Sequence, residues 1–322
     1  MRVLLRVSAV IIAAVALTTF LYGCNTKASE ANANSTTAAK AESEAVAAKW
    51  PDKLIFGYLP NEESADDNMK KGSAMLMKAM TESIGIPVEI KICNDYNAVI
   101  EAMRNQKVHI AQFGPFSYII ANERSKAEAV CVTAKDKKSA TYNSYLITHV
   151  DSGIKNIEDI RGKSMSFVDP ASTSGNLVPR FTMVNKLGVK PEDIDTKLFS
   201  SVQFAGNHQN SFLAAANKSV DVAACDSNTY TKSIDKGLAK KEDIHIINIS
   251  DPIPSSPVAV YSDLPADLKQ KIIDFFHTYD NPEYFTLRKQ EGKKFIPMED
   301  SDYNPIREIA KLMNLSPEEL LK

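Results

Sequence analysis

Ser172, Thr173 and Ser174 stand in a row between Pro170 and Gly175, and three adjacent hydroxyls in such a place can hold an oxyanion. The preceding Ser166-Phe167-Val168 reads as a short apolar strand that breaks at Asp169-Pro170. The following Asn176 to Val184 has the apolar spacing of a helix. The spacing therefore predicts that the hydroxyls sit at a helix N-terminus, where the first N–H groups lack intrahelical acceptors and the dipole is positive. Such donors can surround a tetrahedral anion without any cationic side chain. A helix cap accounts for one hydroxyl, Ser172 or Thr173, and leaves two unexplained.

Other residues admit other chemistry. Ser174, His208 and Asp226 follow in an order that could supply a nucleophile, a base and its orienter, which would make the chain a phosphoester hydrolase working through Ser174 and His208. Against this, Ser-Thr-Ser-Gly lacks the Gly-x-Ser-x-Gly elbow, and no metal-ligand spacing is visible. Arg161-Gly162-Lys163-Ser164 imitates the end of a nucleotide P-loop, but the first glycine of that motif would fall at Ile157. His208, between Asn207 and Gln209, also reads as an ordinary surface residue. Cys93, Cys131 and Cys225 are widely separated and read as buried thiols, with a Cys93–Cys131 disulfide allowed but not required.

The elements that must position these residues alternate. Leu54 to Leu59 is an apolar strand, followed by a methionine-rich helical pattern through Met75, Leu76, Ala79, Met80 and Ile84 that stops at Gly85 and Pro87. Strands at Val88 to Cys93, Val108 to Phe113 and Ala129 to Thr133 continue the series, separated by helices from about Tyr96 and from Phe116. A second series has strands near Met165 to Val168, Thr196 to Phe199, Val220 to Ala224 and Ile244 to Asn248, with helices at 177–187 and 210–217. This is an α/β chain of two lobes. Tyr145 to Val150 and Val258 to Tyr261 read as the strands at the joins. The expected division is residues 50–145 plus 257–322 for one lobe and 146–256 for the other, with a cleft collecting the carboxyl ends of both sheets. Bulky Phe113, Phe116 and Tyr142 near that cleft suggest a small pocket, although each also reads as core.

The N-terminus has Arg2 and Arg6 before an apolar run from Val7 to Phe20, the pattern of an export leader too short for a comfortable span. Leu21-Tyr22-Gly23-Cys24 resembles a bacterial lipobox, so residues 1–23 are expected to be removed and Cys24 to carry a lipid; an ordinary signal peptide cut near Ala28 or Ala31 is the other reading. Residues 24–49 are almost wholly small and polar, a tether that cannot bury enough surface to fold. A net charge of −2 over 322 residues argues against a nucleic-acid partner.

Taken together the motifs resemble the phosphonate and phosphite substrate-binding proteins of ABC importers, a branch of the periplasmic binding proteins with type II topology. Asn94-Asp95-Tyr96, Phe113-Gly114-Pro115, the Asp169 to Gly175 loop, Gly206-Asn207-His208, Ala214 to Asn217 with Val220 to Ala223, and Pro252-Ile253-Pro254 carry the likeness over about Leu54 to Leu315. The resemblance implies a non-enzymatic binding protein that closes around a small phosphorus oxyanion and delivers it to a membrane permease and its ATPase. It implies no cofactor and no metal, a monomer, and a place in the bacterial envelope outside the cytoplasm. It places Tyr96, Tyr142, Ser172, Thr173, Ser174 and His208 on the oxyanion, with Phe113, Asp226, Asn228 and Ser256 nearby. Members that recognise aminoalkylphosphonates hold the ammonium with carboxylates where this chain has Asn228 and Ser256, unless Asp226 or Asp251 substitutes. The implied ligand is therefore phosphite, methylphosphonate or a relative without an amine, with phosphate or a small organic anion as the alternative. A protonated His208 would add a second donor, so affinity is expected to rise modestly below neutral pH.

Overall fold

The computed structural model describes residues 49–59 and 67–315. The leader, Cys24 and the tether up to residue 48 lie outside the described residues.

Thirteen strands run in chain order as β1 (Leu54–Tyr58), β2 (Val88–Ile92), β3 (Ile110–Gln112), β4 (Ala127–Ala134), β5 (Thr141–Tyr142), β6 (Ser144–His149), β7 (Ser164–Phe167), β8 (Ser201–Phe204), β9 (Val222–Asp226), β10 (Ile244–Ile249), β11 (Ile253–Pro254), β12 (Val258–Tyr261) and β13 (Lys294–Pro297) among the described residues. They form a sheet ordered β13-β4-β12-β3-β1-β2 in the first lobe and another ordered β10-β6-β9-β7-β8 in the second. Within each, the strands that begin the lobe pair in parallel: β1 with β2 and β3, and β7 with β8 and β9. Each sheet also takes in one antiparallel strand from a crossing of the chain. Strand β6 lies between β9 and β10, and β12 lies between β3 and β4. Both crossings pass through a short antiparallel ribbon, where Tyr142 of β5 faces Ile253 of β11. The cleft tyrosine expected at position 142 is thus part of the connection between lobes.

The helices are α1 (Asp67–Ile84), α2 (Tyr96–Arg104), α3 (Pro115–Ser125), α4 (Val178–Leu187), α5 (His208–Ala216), α6 (Ser227–Asp235), α7 (Ala266–Thr278), α8 (Pro282–Leu287) and α9 (Asn304–Leu312). Helix α1 buries Met69, Leu76, Met77, Met80 and Ile84 on one stripe, each worth roughly 1.5–3 kcal/mol of apolar burial. Asp95 caps α2, its Oδ1 accepting the Ala98 N–H at 2.7 Å, which holds Tyr96 as the first helical residue at the end of the β2 connection. One apolar cluster runs through both sheets, and a smaller one around Ile147, Phe212, Cys225 and Tyr230 packs α5 and α6 onto the second.

The second lobe departs from the sequence reading in one strand. Residues 196–199 do not form a strand: Pro191 opens a helical turn that widens over Ile194–Leu198 and buries Ile194 and Leu198 at helical spacing. The strand is Ser201–Phe204, in register with β7 from Ser164–Ser201 to Phe167–Phe204. Strand β9 likewise ends later than expected, and this places Asp226 at its carboxyl end, where it begins α6. Cys93, Cys131 and Cys225 are buried free thiols.

Candidate functional site

The loop that carries the hydroxyl row is built by closing the chain back on itself. After β7, the Val168 N–H donates to the Gly175 carbonyl at 3.0 Å, and the Gly206 N–H donates to the Val168 carbonyl at 2.7 Å. Asp169 turns the chain by accepting the Ala171 N–H on Oδ1 at 2.8 Å. The next turn, Thr173–Leu177, is a wide π-type turn before α4, capped by Ser172, whose Oγ accepts the Gly175 N–H at 3.1 Å. Only glycine fits at 175, because a Cβ there would lie 2.3 Å from Val168 Cγ2. Ser172, Thr173 and Ser174 are all buried, and the N–H groups of Thr173 and Ser174 have no protein acceptor among the described residues. They are the unpaired donors of a helix start.

The hydroxyls around this turn are oriented by what they accept. His208 Nδ1 accepts the Asp226 N–H at 3.1 Å, so the neutral ring carries its proton on Nε2, which stands 3.4 Å from Ser172 Oγ. With Gly175 N–H and His208 Nε2–H both directed at it, the Ser172 oxygen has its lone pairs engaged and its own proton available to a ligand. Thr173 Oγ1 accepts the N–H of Phe116, in α3 of the other lobe, at 2.8 Å. Gly114 leaves room for that approach: a Cβ there would lie 3.3 Å from the same oxygen. Ser144 Oγ donates to the Ser174 carbonyl at 2.6 Å and fixes the third residue of the row from β6.

Tyr142 reaches the same place from the connecting ribbon. Burial pushes its phenol well above the ordinary value, against the opposing effect of the Ser174, Thr173 and Ser256 hydroxyls around it, so it remains a donor throughout the neutral range. Burial likewise lowers His208, and the Asp226 carboxylate offsets only part of that. The ring is neutral at neutral pH, and a proton added to Nδ1 would face the Asp226 N–H. The expected gain of a second donor just below neutral pH is therefore corrected: the second nitrogen is already occupied as an acceptor. Burial works to raise the Asp226 carboxyl, but His208, Thr229 and Lys232 outweigh it and hold the group below the usual carboxylate range. Its Oδ1 accepts the N–H groups of Asn228 and Thr229 at 2.9 Å each, capping α6, and its Oδ2 lies 3.5 Å from His208 Nδ1.

A cleft of about 280 Å³ gathers Tyr96, Tyr142, Ser172, Thr173, Ser174 and His208. Asp226, Asn228 and Ser256 line it as well. Phe113 does not: it is 1% exposed and packs in the apolar core, while its neighbours Gln112 and Gly114 face the cleft. Strand alternation at the end of β3 turns the ring inward. Asp251 is exposed and outside the lining. The hydroxyl that approaches His208 belongs to Ser172, so Ser174 is not placed as a nucleophile beside that base. Sequence reasoning missed Ser144 and helix α6; the Asp226-Ser227-Asn228-Thr229 run after an apolar strand carries the cap signal that would have found α6. Lys232 and Lys236 of the second lobe and Arg288, Lys289 and Lys293 of the first also line the cleft.

A family described as "ABC transporter, phosphonate, periplasmic substrate-binding protein" matches residues 56–303. The phosphate-import protein PhnD of Mycolicibacterium smegmatis is 30% identical over 277 residues, covering 81% of this chain and 86% of that one. The phosphonates-binding periplasmic protein of Escherichia coli is 31% identical over 263 residues, covering 80% and 75%. Among solved structures, a binding protein component of an ABC phosphonate transporter from Pseudomonas aeruginosa superposes with a TM-score of 0.72 at 29% identity, covering 81% and 86%. A Prochlorococcus marinus protein in complex with methylphosphonate shares the fold, with a TM-score of 0.71 at 16% identity over 82% and 99% of the chains.

Proposed function

This chain belongs to the family of periplasmic substrate-binding proteins of phosphonate ABC transporters, and from that premise we propose that it captures phosphite, methylphosphonate or a closely related amine-free phosphonate. Family membership makes it a binding component of an importer and not an enzyme. The observation that carries the choice of ligand class is the pair of oriented hydroxyls. Ser172 and Thr173 each accept a backbone N–H, leaving a donor beside the unpaired N–H groups of the turn. A bound oxyanion replaces its lost hydration with such donors, each charge-assisted bond contributing roughly 1.5–3 kcal/mol. Tyr96 and Tyr142 supply further hydroxyls from the first lobe and the ribbon, and His208 completes the shell through Ser172. Full coordination then exists only with the lobes together, and closure is the state the permease and its ATPase respond to.

The absence of an amine follows from the carboxylates. Among the described residues lining the cleft, Asp226 is the one carboxylate, and its Oδ1 is taken up by the Asn228 and Thr229 N–H groups at the start of α6. An ammonium group finds Asn228 and Ser256 instead. Phosphate is a second reading, favoured by the 30% identical phosphate-import relative. Lipid attachment at Cys24 would hold the protein on the outer side of a membrane; incorporation of labelled fatty acid into the wild type but not a Cys24→Ala variant tests it.

The test of the site is calorimetry on the protein stripped of carried-over ligand by unfolding and refolding. The Ser172→Ala/Thr173→Ala/Ser174→Ala variant is expected to fold and to lose binding of phosphite and methylphosphonate. Unchanged affinity in that variant would remove the loop from the site.

A further inference from the structure

Outside the cleft lining, a line of buried polar groups braces the oxyanion loop. Asn176, 3% exposed, bridges the loop: its Nδ2 donates to the Pro170 carbonyl at 2.8 Å, and its Oδ1 accepts from Arg180 Nε at 2.7 Å. Arg180, 7% exposed, lies with its guanidinium carbon 4.2 Å from the centroid of the Phe167 ring. Its Nη2 pairs with both oxygens of Asp195, at 2.8 and 3.0 Å. The line thus ties Pro170, before the hydroxyl row, to Asn176, after it, and anchors both in the turn that carries Asp195.

Helix stability does not explain this placement. Arg180 lies beyond the first turn of the helical run that starts at Thr173 and well short of its C-terminal turn, where the helix dipole does nothing to favour a cation. A buried ion pair is also a poor stabiliser compared with apolar residues of similar volume, because its desolvation offsets the attraction. What a guanidinium does better than other groups is fix two partners at once through a planar, rigid fork. Oxyanion donors need that: they must be held within about 0.5 Å of their working positions, and the Ser-Thr-Ser-Gly row has few apolar atoms with which to lock itself.

We propose that Arg180 is a positioning residue for the oxyanion donors, acting through Asn176 without touching the ligand. The inference rests on the reading of the loop as the oxyanion site, but its structural half can be tested without any ligand. The experiment uses the full chain and three forms: wild type, Arg180→Lys, which keeps the charge but not the fork, and Asp195→Asn, which releases the far anchor from a half-exposed position. Hydrogen exchange at the Gly175 and Leu177 amides, both bonded to Ser172, is expected to quicken about tenfold or more in both variants, with the amides of β1 and β9 unchanged. Calorimetry with methylphosphonate is expected to show about tenfold weaker binding in Arg180→Lys, the size of one lost hydrogen bond. Unchanged loop exchange would overturn the proposal, as would exchange raised equally throughout the second lobe, which marks a general scaffold role. Wild-type affinity in Arg180→Lys despite a loosened loop would show that charge and not positioning matters, and would also overturn it. Should Arg180→Lys not fold, Asp195→Asn carries the same exchange and affinity tests. Failure of the wild type to bind any phosphorus oxyanion would instead count against the function, leaving the exchange result to decide the role of Arg180.

Discussion

Thr173 of the second lobe accepts the backbone N–H of Phe116 in the first at 2.8 Å, so one side chain both caps a helix across the cleft and stands in the hydroxyl row. Helix α3 has no side-chain cap of its own; Gly114 occupies that position and Pro115 follows. The partner it lacks comes from the opposite lobe.

Thr173→Val removes the acceptor and the donor while keeping the shape. Affinity for the oxyanion should fall about 10- to 100-fold, and the orphaned Phe116 N–H should cost about 1–3 kcal/mol of stability. Thr173→Ser should restore both. Calorimetry and urea melts on the two variants check this, and equal behaviour of Val and Ser would show that the hydroxyl has neither role.

Gly175→Ala puts a methyl carbon 2.3 Å from Val168 Cγ2 and 2.4 Å from Val168 Cβ. Because the β-carbon cannot swing aside, the turn itself must shift. A stability loss of about 1–3 kcal/mol with weakened binding is expected. Urea denaturation that left the midpoint unchanged would contradict the close approach.

His208 has a folded-state pKa below its unfolded value, because the ring is buried neutral. The sign follows: its contribution to stability is complete above the unfolded value, about 6.5, and is lost as the pH falls through the lowered folded value. Ligand-free urea melts across this window should therefore show wild type losing more stability than His208→Gln. Parallel curves would mean the ring is as protonatable as in the unfolded chain.

Ligand selectivity should follow the missing carboxylates. Asn228→Asp with Ser256→Asp is expected to shift preference toward 2-aminoethylphosphonate over methylphosphonate by about tenfold or more, the scale of one charged hydrogen bond. Competition calorimetry with the two ligands checks it; an unchanged ratio would place the ammonium elsewhere.

Much of this was legible in the chain because periodicity and punctuation agree. The β1 and α1 patterns, the helix from about Tyr96 and the hydroxyl row after Pro170 each carry a local signal, and all led to the right elements. The errors arose where the local signal was weak or the deciding partner was remote. Thr196 to Phe199 looks like a strand until the spacing of Ile194 and Leu198 is weighed against Pro191. Phe113 looks like a cleft aromatic until strand alternation assigns its face. Nothing local to His208 announces that Asp226, eighteen positions away, will supply the N–H that fixes its tautomer. The Thr173–Phe116 bond likewise joins two lobes across 57 positions, and only the assembled sheets bring it about.

The Ser172 and Thr173 hydroxyls are proposed to hold a small phosphorus oxyanion, with Asn228 and Ser256 giving no carboxylate for an amine. The most direct measurement is calorimetric titration of the stripped protein against phosphite, methylphosphonate, 2-aminoethylphosphonate and phosphate under one buffer condition. Phosphite or methylphosphonate is expected to bind most tightly and 2-aminoethylphosphonate distinctly less well. Preference for the aminophosphonate, or no binding by any of the four, would contradict it.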